Sequence, residues 1–187
     1  TPQNIKWGLV IGISHYDQAK TGYNPLPYAA NDAKKMYSYL TQEGGFAPEN
    51  VLLLTDEKAT AENIRDGFNR FLRRKATRPN DIVFIYYSGH GDLYNRQDAY
   101  LVPYGANRSR ISSQGILLDE INLSVSRLPS QKVAMFVDSC HSGSLVQGVN
   151  SKGVLQNMTG IAHSFLNLAT NGRLVMTSSK ADEESLE

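Results

Sequence analysis

The sequence predicts an α/β fold: a three-layer α/β/α domain around a mostly parallel central sheet. Three observations predict it. Five short runs rich in Val, Ile or Leu recur along the chain, each is apolar on both faces, and amphipathic stretches of helical period separate them. A strand covered by helices on both sides reads as a continuous apolar run, whereas a half-solvated strand alternates. Strands alternating with helices favour an open sheet carrying helices on both faces.

The first run is WGLVIGI (7–13). An amphipathic stretch follows in which Ala33, Met36, Tyr37 and Leu40 share one face, and Gly44-Gly45 stops it. The second run is VLLLT (51–55). Thr60 then suits an N-cap, with Ile64, Phe68, Phe71 and Leu72 as the buried stripe. Arg73, Arg74 and Lys75 suit that helix's negative end, with Pro79 just beyond. DIVFIYYS (81–88) is the third run, and a short helical stretch spans roughly 119 to 128. KVAMFVDS (132–139) and RLVMTSS (173–179) are the last two runs, with a further helical stretch over roughly 161 to 169. The longest irregular segment, about 142–160, is rich in Gly, Ser and Asn, and loops of that length in compact domains serve function or motion.

The 187 residues fit one domain, 1–187, with 41% apolar and 20% charged residues. A formal net charge of +1 gives no push toward nucleic acid or anionic membrane, and neither is expected as a partner. No apolar run approaches the roughly 20 residues needed to cross a bilayer. The start, TPQNIKWG, carries neither an initiator Met nor a signal-peptide pattern, so a trimmed N-terminus and a cytoplasmic location are expected. The single cysteine, Cys140, excludes a disulfide framework and a thiolate-rich metal site. GISHYDQ after the first run is no phosphate-binding glycine motif, so a nucleotide site has no support.

In open α/β sheets ligands bind beyond the carboxyl ends of the strands. Two such ends carry SGHGD after the third run and DSCHSG after the fourth, bringing His90 and Cys140 to one rim. Cysteine attacks as the thiolate, and a neighbouring histidine can assist its formation and later protonate a leaving amine. Gly89 and Gly91 flank the histidine, and Ser139 and Gly143 lie near the cysteine; such small residues admit a substrate backbone and leave N–H groups for an oxyanion. A lone strand-end cysteine is most often a small buried hydrophobe; the pairing of two such motifs at the functional edge argues for a nucleophile.

YYSGHGD paired with DSCHSG resembles the caspase-like cysteine peptidases, most closely their metacaspase and bacterial caspase-homologue branch. GLVIGISHYD, PLPYAANDAKKMYSYL, DAYLVP and TSSKADEESLE resemble further family segments in the same order, so the resemblance covers nearly the whole chain. It implies a caspase–haemoglobinase fold with parallel strands in the order 2-1-3-4-5 and an antiparallel sixth, which is expected to lie beyond this chain. The resulting bare sheet edge would be covered by a C-terminal segment or a partner. It also implies peptide hydrolysis by Cys140 with His90, and an oxyanion hole built from the N–H groups of Gly91 and Cys140. His141, next to the nucleophile in an extended segment, is expected to point to the opposite side.

Asp138 lies two residues before Cys140 and shares its face in an extended backbone. Asp32 lies at or just inside the start of the first helix, where Asp is also a favoured N-cap. The resemblance implies that both carboxylates bind a basic side chain, hence cleavage after Arg or Lys of protein or peptide substrates and rejection of Asp by like charge. Lys152, the only basic residue between Cys140 and Arg173, is the candidate self-cleavage site. No cofactor is required by the sequence. Calcium has weak support: Asp119 and Glu120 resemble one acidic pair of a family site, but HSGSLVQGVN after the cysteine holds no acid. The alternative reading is a catalytically silent caspase homologue acting as a scaffold or signalling module.

Overall fold

The computed structural model describes residues 4–95, 98–141 and 173–178. Seven strands make one sheet: β1 (Lys6–Gly12), β2 (Val51–Thr55), β3 (Ile82–Tyr94), β4 (Asp98–Leu101), β5 (Ile116–Leu117), β6 (Lys132–His141) and β7 (Arg173–Ser178). The helices are α1 (Gln18–Thr21), α2 (Ala29–Gln42), α3 (Ala61–Asp66), α4 (Arg73–Lys75), α5 (Ile111–Gln114) and α6 (Leu118–Ser126), with a π-helical turn, Gly67–Leu72, joining α3 to α4.

β2, β1, β3, β6 and β7 run parallel in that order. This is the order 2-1-3-4-5 once the fourth and fifth sequence runs are identified with β6 and β7. The helical stretch foreseen near 161–169 and the loop foreseen at 142–160 lie outside the described residues, as does any sixth antiparallel strand.

Alternation across the strands divides the core. Leu9, Ile11, Ile13, Val83, Ile85, Tyr87, Val133, Met135 and Val137 pack with Ile64, Phe68, Leu72, Ile121 and Val125 on one face. Val10 packs with Ala33, Leu40, Phe46 and Val51 on the other, joined by the partly buried Met36, Tyr37, Phe84 and Tyr86. Each large aliphatic side chain so buried contributes roughly 1.5–3 kcal/mol relative to exposure. Both amphipathic stripes read from the sequence are thereby buried as expected. Thr60 caps α3 by accepting from the Asn63 N–H at 3.2 Å.

One strand differs from its sequence reading in a way that matters for the site. The third apolar run ends at Ser88 with SGHGD placed beyond it, yet β3 continues through that segment to Tyr94. Two partners hold the extension in place. β6 stays in register as far as Gly91↔His141, while β4 takes the other side beyond the end of β1, with Gly91↔Leu101 and Asp92↔Tyr100. The backbone hydrogen bonds of a sheet outweigh the weak strand propensity of glycine here.

Candidate active site

The long β3–β6 ladder sets the geometry. Ser88 is the register partner of Asp138, Gly89 of Ser139, and His90 of Cys140. Parallel neighbours lie about 4.8 Å apart, so the backbones of His90 and Cys140 are adjacent, with no element between them. The same register sets His141 opposite Gly91.

The His90 side chain is 3% exposed and is held on several sides. Its Nε2 lies 2.8 Å from the main-chain oxygen of Asn24. A carbonyl oxygen only accepts, so Nε2 carries the proton and Nδ1 is the basic nitrogen of the neutral ring. Tyr23 stacks on the imidazole at 5.4 Å between centroids, and Tyr16 meets it edge-on at 4.6 Å. The Tyr16 hydroxyl accepts from the His90 N–H at 3.2 Å and donates to the Val102 carbonyl at 3.0 Å. Tyr87 donates to the His90 carbonyl at 2.7 Å. Gly89 makes this crowding feasible, because a Cβ there would stand 2.7 Å from the Tyr87 oxygen and 3.0 Å from that of Tyr16.

A second layer supports Tyr23. Its hydroxyl donates to Asp92 Oδ2 at 2.6 Å, and the Arg108 guanidinium lies over its ring at 4.6 Å and 3.6 Å from the same carboxylate oxygen. Burial pushes the phenols of Tyr16, Tyr23 and Tyr87 well above their ordinary range, and for Tyr23 the neighbouring Asp92 pushes in the same direction. These hydroxyls therefore act as neutral hydrogen-bonding groups.

Asp32 occupies the first turn of α2, but it does not cap the helix. The N-cap position is Tyr28, without a side-chain cap, and the Asp32 N–H bonds within the helix to the Tyr28 carbonyl at 2.8 Å. The capping role falls to Ser14, whose Oγ accepts from the Ala30 N–H at 2.8 Å. An Asp caps a helix only from the position immediately before the first turn, and here three helical residues precede Asp32. The carboxylate of Asp32 is thus left facing outward, 43% exposed, with Lys35 Nζ at 3.6 Å.

The negative fields of Asp32 and Asp138 both reach one buried phenol, that of Tyr86. Tyr86, two residues before Ser88 on β3, packs against the α2 side of the sheet. Its phenol is raised above the ordinary range first by burial, countered by a hydrogen bond with Ser88, and then raised by the negative fields of Asp138 and Asp32. Sequence reasoning missed Tyr86, as it missed Tyr16, Tyr23, Asn24, Asp92 and Arg108. The signal available was YYSGHGD itself: same-side spacing places Tyr86 and Ser88 with His90.

A family model described as the caspase domain (Peptidase_C14) matches residues 5–187. The chain belongs to the caspase-domain family. Among curated relatives, this caspase-domain chain is 33% identical over 152 residues to Metacaspase-1 of Ajellomyces capsulatus, covering 73% of the chain and 40% of the relative. It is 34% identical over 154 residues to Metacaspase-1A of Aspergillus terreus, covering 73% and 35% respectively. The chain thus spans less than half the length of either relative. A solved structure of a Geobacter sulfurreducens protein superposes with a TM-score of 0.62 at 19% identity, covering 94% of this chain and 72% of that one, a likeness of fold.

Several foreseen features remain apart from this cluster. Lys152 lies outside the described residues. Glu120 is engaged by Arg65 in a two-pronged ion pair at 2.7 and 3.1 Å, which occupies the carboxylate that resembled half of a calcium pair. Among the described residues no group of three or more His, Cys, Asp or Glu is arranged to hold a metal ion, and no helix is long and apolar enough to cross a membrane. A groove of about 570 Å³ lies against Leu52, Leu54 and Phe71 and contains none of the candidate site residues.

Proposed function

We propose that this caspase-domain chain is the catalytic core of a cysteine endopeptidase that cleaves after Arg or Lys. The observation that carries the reading is the direct register pairing of His90 with Cys140 across β3 and β6.

In this reading the Cys140 thiol gives its proton to His90 Nδ1, and the thiolate attacks the scissile carbonyl carbon. The N–H groups of Gly91 and Cys140 hold the developing oxyanion. The imidazolium then returns the proton to the leaving amine as the C–N bond breaks, leaving a thioester on Cys140. Water, deprotonated by the same nitrogen, releases the acid and regenerates the thiol. The Asn24 carbonyl supports this sequence because it fixes the tautomer and stabilises the imidazolium through Nε2–H.

Asp32 and Asp138 form the acidic recess for the residue preceding the cut. Arg binds two carboxylates through its fork, Lys binds as a point charge, and Asp is repelled. Tyr86 supports the reading by feeling both fields at once. Protein or peptide substrates with a basic residue at the cut are the expected partners, and Lys152–Gly153 is the expected self-processing bond.

A fluorogenic peptide panel tests the reading against Cys140→Ala. Peptides ending in Arg or Lys are cleaved by the wild type and by none of the variant preparations. A peptide ending in Asp that is cut faster than its Arg twin overturns the specificity. Incubating both proteins and sequencing new N-termini tests the Lys152 site.

A further inference from the structure

Asp56 is a buried carboxylate that the mechanism above does not use. It is 8% exposed, and among the described residues it is one of two non-glycine residues with a positive φ, at +45°. Such a conformation costs on the order of 1–3 kcal/mol and persists only where the surroundings enforce it. The surroundings here are the loop that follows β1. Asp56 Oδ1 accepts from the N–H of Ser14 at 2.8 Å and from that of His15 at 2.9 Å, and Oδ2 faces His15 Nδ1 at 3.5 Å.

That loop touches the histidine directly and ties down two neighbouring segments. Its next residue, Tyr16, packs edge-on against the His90 ring and hydrogen-bonds the His90 N–H. The Ser14 carbonyl accepts from the Leu26 N–H at 2.9 Å, which ties down the segment carrying Tyr23 and Asn24. Ser14 Oγ holds the start of α2 at Ala30. One carboxylate oxygen thus anchors the backbone on which the histidine's aromatic wall and its carbonyl partner depend.

We propose that Asp56 is a positioning residue: by pinning the 14–16 backbone it holds Tyr16 and the Asn24 carbonyl in place around His90. Its role is that of an acceptor at a fixed point and does not depend on its charge. α2 has its own apolar anchorage through Ala33, Met36 and Leu40, so the Asp32 recess stays in place when the clamp is disturbed.

For its kinetic readout the inference rests on the peptidase reading, so the experiment carries a second, spectroscopic readout. Asp56→Glu keeps the charge but moves the oxygens by a methylene, whereas Asp56→Asn keeps the acceptor in place without the charge. On a peptide ending in Arg, D56E is expected to lose about 10–100-fold in kcat, with KM within about threefold, the scale that a displacement near 1 Å produces. D56N is expected to keep kcat within about threefold. In ¹⁵N-histidine spectra the Nε2–H signal of His90 is expected to stay in place in D56N and to shift or vanish in D56E. Asp56→Gly, which relieves the positive φ while removing the acceptor, repeats the comparison if D56E does not fold. An unaltered His90 signal and wild-type kcat in D56E, or a D56N variant as impaired as D56E, overturns the proposal. A wild type inactive on every peptide overturns the peptidase reading alone, and the spectra still decide the role of Asp56.

Discussion

The main-chain oxygen of Asn24 stands 2.8 Å from Nε2 of His90 and fixes which ring nitrogen carries the proton. In the neutral state the expected tautomer is Nε2–H. Two-dimensional ¹⁵N spectra of histidine-labelled Cys140→Ala protein read the tautomer directly. An Nδ1–H signal assigned to His90 would contradict the arrangement.

Tyr23 joins the histidine to the buried Asp92. Tyr23→Phe keeps the stacked ring but removes the hydroxyl that donates to Asp92 Oδ2. A buried acceptor then loses a donor, and the expected loss of stability is about 1–3 kcal/mol. Urea unfolding measures it. A midpoint equal to that of the wild type would mean that the Asp92–Arg108 contact compensates fully.

The buried phenols give the protein an alkaline limit. Tyr16, Tyr23 and Tyr87 each hold their proton more tightly folded than unfolded, chiefly through burial. The stability they contribute is complete below the ordinary phenol value of about 10 and is lost as pH rises through that value toward the raised folded ones. Urea midpoints are therefore expected to fall once the pH exceeds about 10, and to fall less steeply in Tyr23→Phe. A midpoint independent of pH across that range would count against the burial of these rings.

The acidic recess is tested by charge removal. Asp32→Asn and Asp138→Asn are each expected to lower kcat/KM for a peptide ending in Arg by about 10–100-fold, the scale of a lost charge-assisted hydrogen bond. Lys35 works the other way, since its ammonium lies 3.6 Å from Asp32 Oδ1 and competes for that carboxylate. This pair is exposed and worth at most about 1 kcal/mol, so Lys35→Ala is expected to lower KM by no more than about fivefold. A Lys35→Ala variant with a raised KM would mean that Lys35 helps bind the substrate.

Much of the fold was legible because each parallel strand is apolar on both faces, a pattern that needs no long-range information. Val83, Ile85 and Tyr87 face one helical layer while Phe84 and Tyr86 face the other, and both sets are visible in DIVFIYYS. His90 and Cys140 were legible for a different reason: strand ends in such sheets meet at one rim. The extension of β3 through Gly89 and Gly91 was not, because only the pairing with β4 and β6 overrides glycine's local preference. Asp32 illustrates the same limit. Its capping role depended on where the helix begins, and that is set by Ser14 from another segment. The histidine's surroundings converge from positions 16, 23, 24, 92 and 108, and no local spacing announces such a meeting.

The most direct test of the account is the rate at which iodoacetamide alkylates Cys140 near neutral pH, in the wild type and in His90→Ala. The account predicts that the wild-type thiol reacts faster than a free cysteine and that the variant is slower by at least about tenfold, because the neighbouring imidazole is what sustains the thiolate. Equal rates in the two proteins, with both folded, would contradict it.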